Sequence, residues 1–374
     1  MNFLDLITER NNYFIDTVER MKKNGKPLVL IGAGCLGEMT WDFLQRQHTD
    51  IDLVGLNEKY ITPDFSFHHA PVISVEELIE GSAHYNYIIA LQIVDDEMLK
   101  LLKETAKEIL VFDPAFIGVN TKKYYTADFC LAHAQPLSTL YNELSDDKSR
   151  ATMVAFINQR ICAERSYCHT VYEAQHYFPQ DVVQLKDNEI FIDCGAYNGD
   201  SIEAFMAEIT RQNRMLPQRI IAFEPDDKSF SQLVENTRLM DFCECINKGV
   251  WDKESVLYFH SGKELSSHIN SDASTGNSII VGSIDATLQG NAATFIKMDV
   301  EGSELKALHG AADTIKSYQP VLAISVYHKP EDLVTIPQFI KSLSPNYRFY
   351  LRAHHPELSF ELVLYAIPVD RVVV

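Results

Sequence analysis

Two α/β domains, each built on a mostly parallel β-sheet, are what this sequence of 374 residues predicts. Two stretches carry the prediction, one over 27–113 and one from Glu189 onward. Strand and helix patterns alternate in both, and each opens with an apolar strand that runs into a glycine turn. The length agrees, since it exceeds what a single ordinary core accommodates.

The opening "MNFLDLITERNNYFIDTVERMKKNG" places acids ahead of any apolar run. It reads as an amphipathic helix and not as a secretory signal or transit peptide. "PLVLIGAG" is the first strand, followed by a helix from about Glu38. "DIDLVGLNE", "NYIIALQ", a helix over 95–107 and "EILVFDP" complete the first alternation. Its turn, Gly32 to Gly37, fits G-x-G-x-x-G between a strand and a helix, the context in which glycines let a diphosphate approach the backbone. Asn57 and Glu58 stand where an acid usually holds a ribose diol, so a dinucleotide site and a Rossmann-like domain without one both remain open. The N-terminal domain is assigned to 1–120 and a helical bridge to 121–180. In that bridge "PLSTLYNEL", "SRATMVAFINQRICAE" and "SYCHTVYEAQHYF" read as helices and connections.

The third region, 181–374, supplies the strands "EIFIDCG", "RIIAFEP", "CECINKGV", "TFIKMDV" and "VLAISVYH". It ends in "YRFYLRAHH" and "FELVLYAIP", an expected antiparallel hairpin. Five parallel strands closed by a hairpin is the element order of the class I methyltransferase fold. The second glycine turn differs from the first in carrying acids at both ends, Asp193 and Asp200 around Gly195 and Gly199. Two carboxylates repel a diphosphate at close range. They suit a ligand that brings positive charge, and the sulfonium and amino groups of S-adenosylmethionine (SAM) do so. Glu224 ends the next strand, at the carboxyl edge where a carboxylate accepts hydrogen bonds from ribose hydroxyls.

Composition excludes other classes. A formal charge of −19 argues against nonspecific nucleic-acid binding. The most apolar segments are strand length, too short to span a bilayer. Seven cysteines without a CxxC pair, with Cys243 and Cys245 alternating on a likely strand, fit a reduced cytoplasmic protein.

With "FIDCGAYNGDS", "IIAFEPDDKSFSQLVENT", "SIDATL", "FIKMDVEGSELKALHGA" and "QPVLAISVYHKPEDL" in this order, residues from about 177 to 368 resemble the FkbM-type methyltransferase family. The resemblance implies SAM-dependent O-methylation of a hydroxyl on a sugar, glycan or other metabolite. It implies a cofactor site formed by Asp193, Gly195, Ala196, Tyr197, Asn198, Gly199 and Asp200, with Glu224, Pro225 and Asp299. The segment with "GAGCLG" and "PVISVEELIE" looks like the Rossmann-like domains that accompany sugar-modifying enzymes.

A hydroxyl gains nucleophilicity from a general base or from a divalent metal ion. Asp299 and Glu301 stand at the end of the fourth strand, where they orient the acceptor, hold a metal or cap the following helix. Lys297 shares a strand face with Asp299 as an expected counter-charge, and His328, at the end of the fifth strand, is the expected leading base. The pairs His68–His69 and His354–His355 are read as loop residues. Two other readings compete: a nicotinamide-dependent enzyme working through Gly32, Gly34 and Gly37, and a SAM-fold protein that binds without catalysing.

Overall fold

The computed structural model describes residues 3–62, 65–117, 124–259 and 277–372. β1 (Leu28–Ile31), β2 (Leu53–Leu56), β3 (Val72–Ser74), β4 (Tyr85–Ile89) and β5 (Ala106–Val111) form the first sheet, in the order β3-β2-β1-β4-β5. All of its pairings are parallel. β3 is only three residues long and runs straight into the helix Val75–Glu80, too short a run to show period-two alternation in sequence.

The opening segment is two helices, Phe3–Leu6 and Tyr13–Asn24. Asn12 separates them, because its side chain accepts from Ile15 N at 3.1 Å and caps the second. The first piece leaves the N-terminal sheet altogether. Phe3 and Ile7 are buried in a core shared with Leu137, Leu140 and Phe156, and Asn158 Oδ1 accepts from Thr8 N and Glu9 N.

The bridge consists of the helices Ala127–Ala132, Ala134–Glu143 and Asp147–Cys162. The boundary expected at 120/121 lies outside the described residues. Of the expected helices and connections, "SYCHTVYEAQHYF" is connection, with one 3₁₀ turn, Cys168–Thr170. Long-range partners take its backbone: Gln159 Oε1 accepts from Tyr167 N and Cys168 N, and Glu173 N donates to Ala353 O.

The C-terminal region contains β6 (Ile190–Cys194), β7 (Arg219–Phe223), β8 (Cys243–Ile246), β9 (Gly249–Val250), β10 (Ser255–Phe259), β11 (Asn277–Gly282), β12 (Phe295–Met298), β13 (Val321–Ser325), β14 (Tyr347–Ala353) and β15 (Leu362–Pro368). Seven of them make a sheet in the order β14-β15-β13-β12-β6-β7-β8, parallel from β13 to β8, with β15 antiparallel to both of its neighbours. This is the expected five-plus-hairpin arrangement. The single strand expected from "CECINKGV" is two, β8 and β9, and β9 joins β10 and β11 in a small separate sheet. No helix among the described residues is long and apolar enough to cross a membrane.

The two sheets are fixed to each other at their carboxyl ends. Asp113, just past β5, is fully buried, and its carboxylate accepts from Ala115 N, Gln159 Nε2, Ser359 N and Ser359 Oγ at 2.6–2.9 Å. It thereby joins the first sheet, the bridge and the β14–β15 turn. The Arg165 guanidinium spans the same junction, donating to the carbonyls of Phe112, Leu91 and Gln92 and pairing with Glu357. Removing Asp113 strands several buried donors at once, each costing about 1–3 kcal/mol. Asp113→Ala is therefore expected to lower unfolding free energy by about 3 kcal/mol or more, read from urea unfolding curves.

Candidate functional site

β6 delivers its acidic turn by a route that only glycine allows. Gly195 has φ 77°, and a Cβ there would lie 1.9 Å from the Asp299 carbonyl oxygen. The turn and the end of β12 are thus in backbone contact. Gly199 (φ 93°) precedes the helix Asp200–Arg211, at whose first turn Asp200 faces the cleft.

Asp193 does not face it. Expected against the cofactor, Asp193 is completely buried beneath the cleft, because cross-strand register sets it opposite Lys297. Lys297 Nζ lies 3.1 Å from Asp193 Oδ1 and donates to the Gly195 carbonyl at 2.6 Å, while Ser201 Oγ donates to Asp193 Oδ2. Burial pushes Lys297 toward neutrality, but Asp193 and then Asp299 outweigh it and leave its pKa above the usual lysine value. The counter-charge expected for Asp299 therefore pairs chiefly with Asp193. Ala196 is likewise buried, and Asn198 is engaged locally, accepting from Asp200 N and receiving Asn236 Nδ2 on its carbonyl. Gly195, Tyr197 and Asp200 are the residues of the turn that line the cleft.

Glu224, at the end of β7, is 7% exposed and already oriented. One oxygen accepts from Tyr197 N at 2.8 Å and the other from Asp226 N at 2.9 Å. A carboxylate oxygen accepts more than one hydrogen bond, so both oxygens keep capacity for the cleft, which Glu224 and Pro225 line.

Asp299 is the centre of the other end. Tyr177 Oη donates to it at 2.8 Å, Tyr327 Oη at 3.3 Å, and His328 Nε2 lies 3.5 Å away. Burial raises its pKa, but His328, Lys297 and the Tyr177 hydroxyl prevail and hold it below the usual carboxylate range. His328 was the expected leading base, and the structure gives it a different setting. It is fully buried, does not line the cleft, and lies among Asp299, Glu301 (3.7 Å) and Glu304 (3.0 Å from Nδ1). Burial favours the neutral ring, yet Glu304, Asp299 and Glu301 together raise its pKa to about 9. Its contacts are ion-pair distances without hydrogen-bond geometry. A protonated ring already holds its proton at neutral pH, which suits it to fixing Asp299 and not to abstraction. Asp299, Glu304 and His328 also offer atoms within 4.8 Å of one another, a spacing a metal ion can bridge. A metal ion there would take the neutral imidazole and so compete with its proton.

The cleft has a volume of about 670 Å³, the size of a small-molecule site. One part of its wall is apolar, with Val250, Trp251, Leu257, Ile279 and Val281 contributed by the small sheet and its approach. The other is acidic, with Asp299, Glu301, Glu361 and Asp200. Tyr177, Tyr197, Glu301 and Glu361 line it with φ between 47° and 61°, a region non-glycine residues seldom occupy. Such strain concentrates where the backbone must aim a functional group. Sequence reasoning missed Tyr177, Tyr327, Glu304, Trp251 and Glu361. Tyr327 adjoins His328 in "SVYH" and was within reach, whereas Tyr177 sits in a connection of the bridge that carries no motif.

The first glycine turn is largely explained by packing. A Cβ at Gly37 would lie 2.3 Å from the Gly32 carbonyl, and one at Gly32 (φ 109°) 2.8 Å from that of Ala90. Asn57 is occupied, capping the turn Glu58–Tyr60 and donating to Glu76 at 3.0 Å. Burial, then Glu301, then Glu38 raise the pKa of the Cys35 thiol beside this turn. The paired histidines have protein partners, His68 with Glu38, His354 with Glu173 and Tyr365, and His355 with the backbone of Glu357 and Leu358.

Two outcomes test this geometry. Lys297→Met leaves Asp193 buried without its cation and should cost about 3–5 kcal/mol, while the double variant Asp193→Leu/Lys297→Met should recover part of the loss. Denaturant unfolding of the three proteins measures both. A histidine more basic folded than unfolded stabilises fully below about pH 6.5, and the contribution is lost as pH rises through about 9. Wild-type stability should fall across that window, and His328→Phe should flatten the fall.

Comparison with known proteins agrees with the architecture. Residues 193–350 match the model of the methyltransferase FkbM domain. No curated protein matches the sequence. Among solved structures, methyltransferase FkbM from Methylobacillus flagellatus KT is similar over 97% of this chain and 92% of its own, at 23% identity and a TM-score of 0.69. An rRNA methylase from Streptococcus thermophilus covers 49% of this chain and 88% of its own, at 13% identity and a TM-score of 0.32. The fold match extends through the N-terminal sheet and the bridge as well as the C-terminal half. The matched segment begins at the acidic turn and runs through the Asp299 cluster, so residues 193–350 are similar to the methyltransferase FkbM domain, and they follow an N-terminal parallel α/β sheet.

Proposed function

We propose that the chain transfers the methyl group of SAM to a hydroxyl of a neutral sugar, glycan or similar polyol. The observation that carries this reading is the charge of the cleft. Among its described lining residues Lys297 is the only lysine or arginine, and it is paired with Asp193. The remaining charged groups are carboxylates. A sulfonium and an ammonium are attracted to such a rim, and hydroxyls donate to it, whereas a phosphorylated acceptor is repelled. Glu224 is placed for the ribose and the apolar wall around Trp251 for the adenine face. The N-terminal domain helps to hold or position the acceptor and does no redox work.

Methyl transfer is an in-line displacement, so alignment supplies much of the catalysis. Asp299, held by two tyrosine hydroxyls and protonated His328, has little freedom to move and orients the acceptor. Buried His328 keeps that carboxylate ionised and in place. No step in this scheme requires a metal.

Titration calorimetry with SAM tests the cofactor assignment: Glu224→Gln should weaken binding about tenfold or more, the loss of a charged hydrogen bond. Equal affinity in the two proteins would remove Glu224 from the ribose. Incubation with ¹³C-methyl SAM and the small-molecule fraction of a cell extract tests the reaction. The carbon shift of the transferred methyl separates an ether from an amine or thioether, and label on nitrogen or sulfur would overturn O-methylation.

A further inference from the structure

We propose that Glu361 is the general base of the transfer, the group that receives the proton of the acceptor hydroxyl. The inference rests on the methyltransferase reading above and adds a residue that neither the motifs nor the fold match assigns. Glu361 immediately precedes β15, the strand beside β13, and its carbonyl accepts from His354 N. This places it at the same edge as Tyr327, on the acceptor side of Asp299 and far along the sheet from Glu224. It lines the cleft with its backbone in the left-handed region, φ 58°. That conformation falls where the β14–β15 turn rejoins its strand, and the side chain there lines the cleft. Among the described residues the carboxylate has no hydrogen-bond or ion-pair partner.

The other candidates are less suited. Asp299 already receives Tyr177 and Tyr327, and its lowered pKa makes it a weak base. His328 is enclosed and protonated. His176 lines the cleft, but burial and neighbouring His354 lower its pKa to about 3. Glu361 is raised instead, to about 7, by burial and by the carboxylates of Asp299 and Asp200. Asp299 faces it from the end of β12, Asp200 from the helix Asp200–Arg211, and Tyr327 from the end of β13. No cation from these elements offsets them, and a base with a pKa near the working pH is the most effective.

In the step, the acceptor oxygen forms a bond to the methyl carbon while the carbon–sulfur bond breaks. Its electron pair stays on sulfur, giving the neutral thioether S-adenosylhomocysteine. The hydroxyl proton passes to the Glu361 carboxylate, which returns it to water after product release. Every atom and charge is accounted for by SAM, acceptor and Glu361.

The test needs no knowledge of the acceptor. Sinefungin carries a charged amine beside the position of the transferred methyl, and S-adenosylhomocysteine has nothing there. Wild-type protein should bind sinefungin more tightly than S-adenosylhomocysteine, by about tenfold for a charged contact, and the preference should decline as pH falls below about 7. Glu361→Gln should abolish most of the preference and its pH dependence while S-adenosylhomocysteine affinity stays within a few-fold, which also shows that the variant folds. An unchanged preference in Glu361→Gln, or a wild-type preference indifferent to pH between 5 and 8, would overturn the assignment. Failure of wild type to bind S-adenosylhomocysteine at all would instead defeat the cofactor reading. With the extract as acceptor source, Glu361→Gln should slow initial transfer by about 10²–10⁴, and an undiminished rate would exclude it as the base.

Discussion

Asp193 and Lys297 form a buried ion pair across β6 and β12, and the geometry of the cleft floor depends on it. Neither charge reaches water, so each is tolerable only through the other and the hydrogen bonds around them. Lys297 also donates to the Gly195 carbonyl and lies 5.0 Å from the Tyr177 ring centre. One ammonium group therefore ties together the acidic turn, the central strands and a tyrosine that fixes Asp299. An acid at the head of the turn, which suggests a direct cofactor contact in sequence, serves to hold the side chain that holds the turn.

The same division between groups that touch and groups that position runs through the site. Glu224 faces the cleft, with Tyr197 N and Asp226 N fixing its two oxygens. Asp299 faces it too, backed by His328, which is backed in turn by Glu304. Glu304 Oε1 accepts from Val300 N and Gly302 N, so the loop after β12 is wrapped around its own carboxylate. Like charges gathered this densely stay ionised only where cations alternate with them, and here His328 and Lys297 fill that role. Glu361 lies at the edge of this alternation, without a cation, and its proton affinity is correspondingly higher.

The N-terminal domain is built into the catalytic half by a small number of buried polar contacts. Asp113 and Arg165 bring the carboxyl ends of β4 and β5 against the β14–β15 turn. Because ligands collect at the carboxyl ends of parallel strands, this docking opposes the two sheets at their functional edges. That docking sets the second parallel sheet against the half that resembles the FkbM domain.

The sequence by itself determined the two alternations and the closing hairpin. Those features follow from local periodicity, glycine placement and residue type, which need no distant partner. Glu224 and Asp299 were legible for the same reason, each being an acid at a strand's carboxyl end. Only the tertiary structure decided which acids touch the cleft. Register sets Asp193 against Lys297 and hides the carboxylate from the cleft, and burial among three carboxylates turns His328 from a base into a cation. The course of the connection over 166–178 and the isolated sheet β9–β10–β11 belong to the same class, since their backbone partners lie outside their own local pattern. Glu361 shows no signal in sequence, because a lone glutamate before a strand acquires its character only from Asp299 and Asp200, contributed by other elements of the fold.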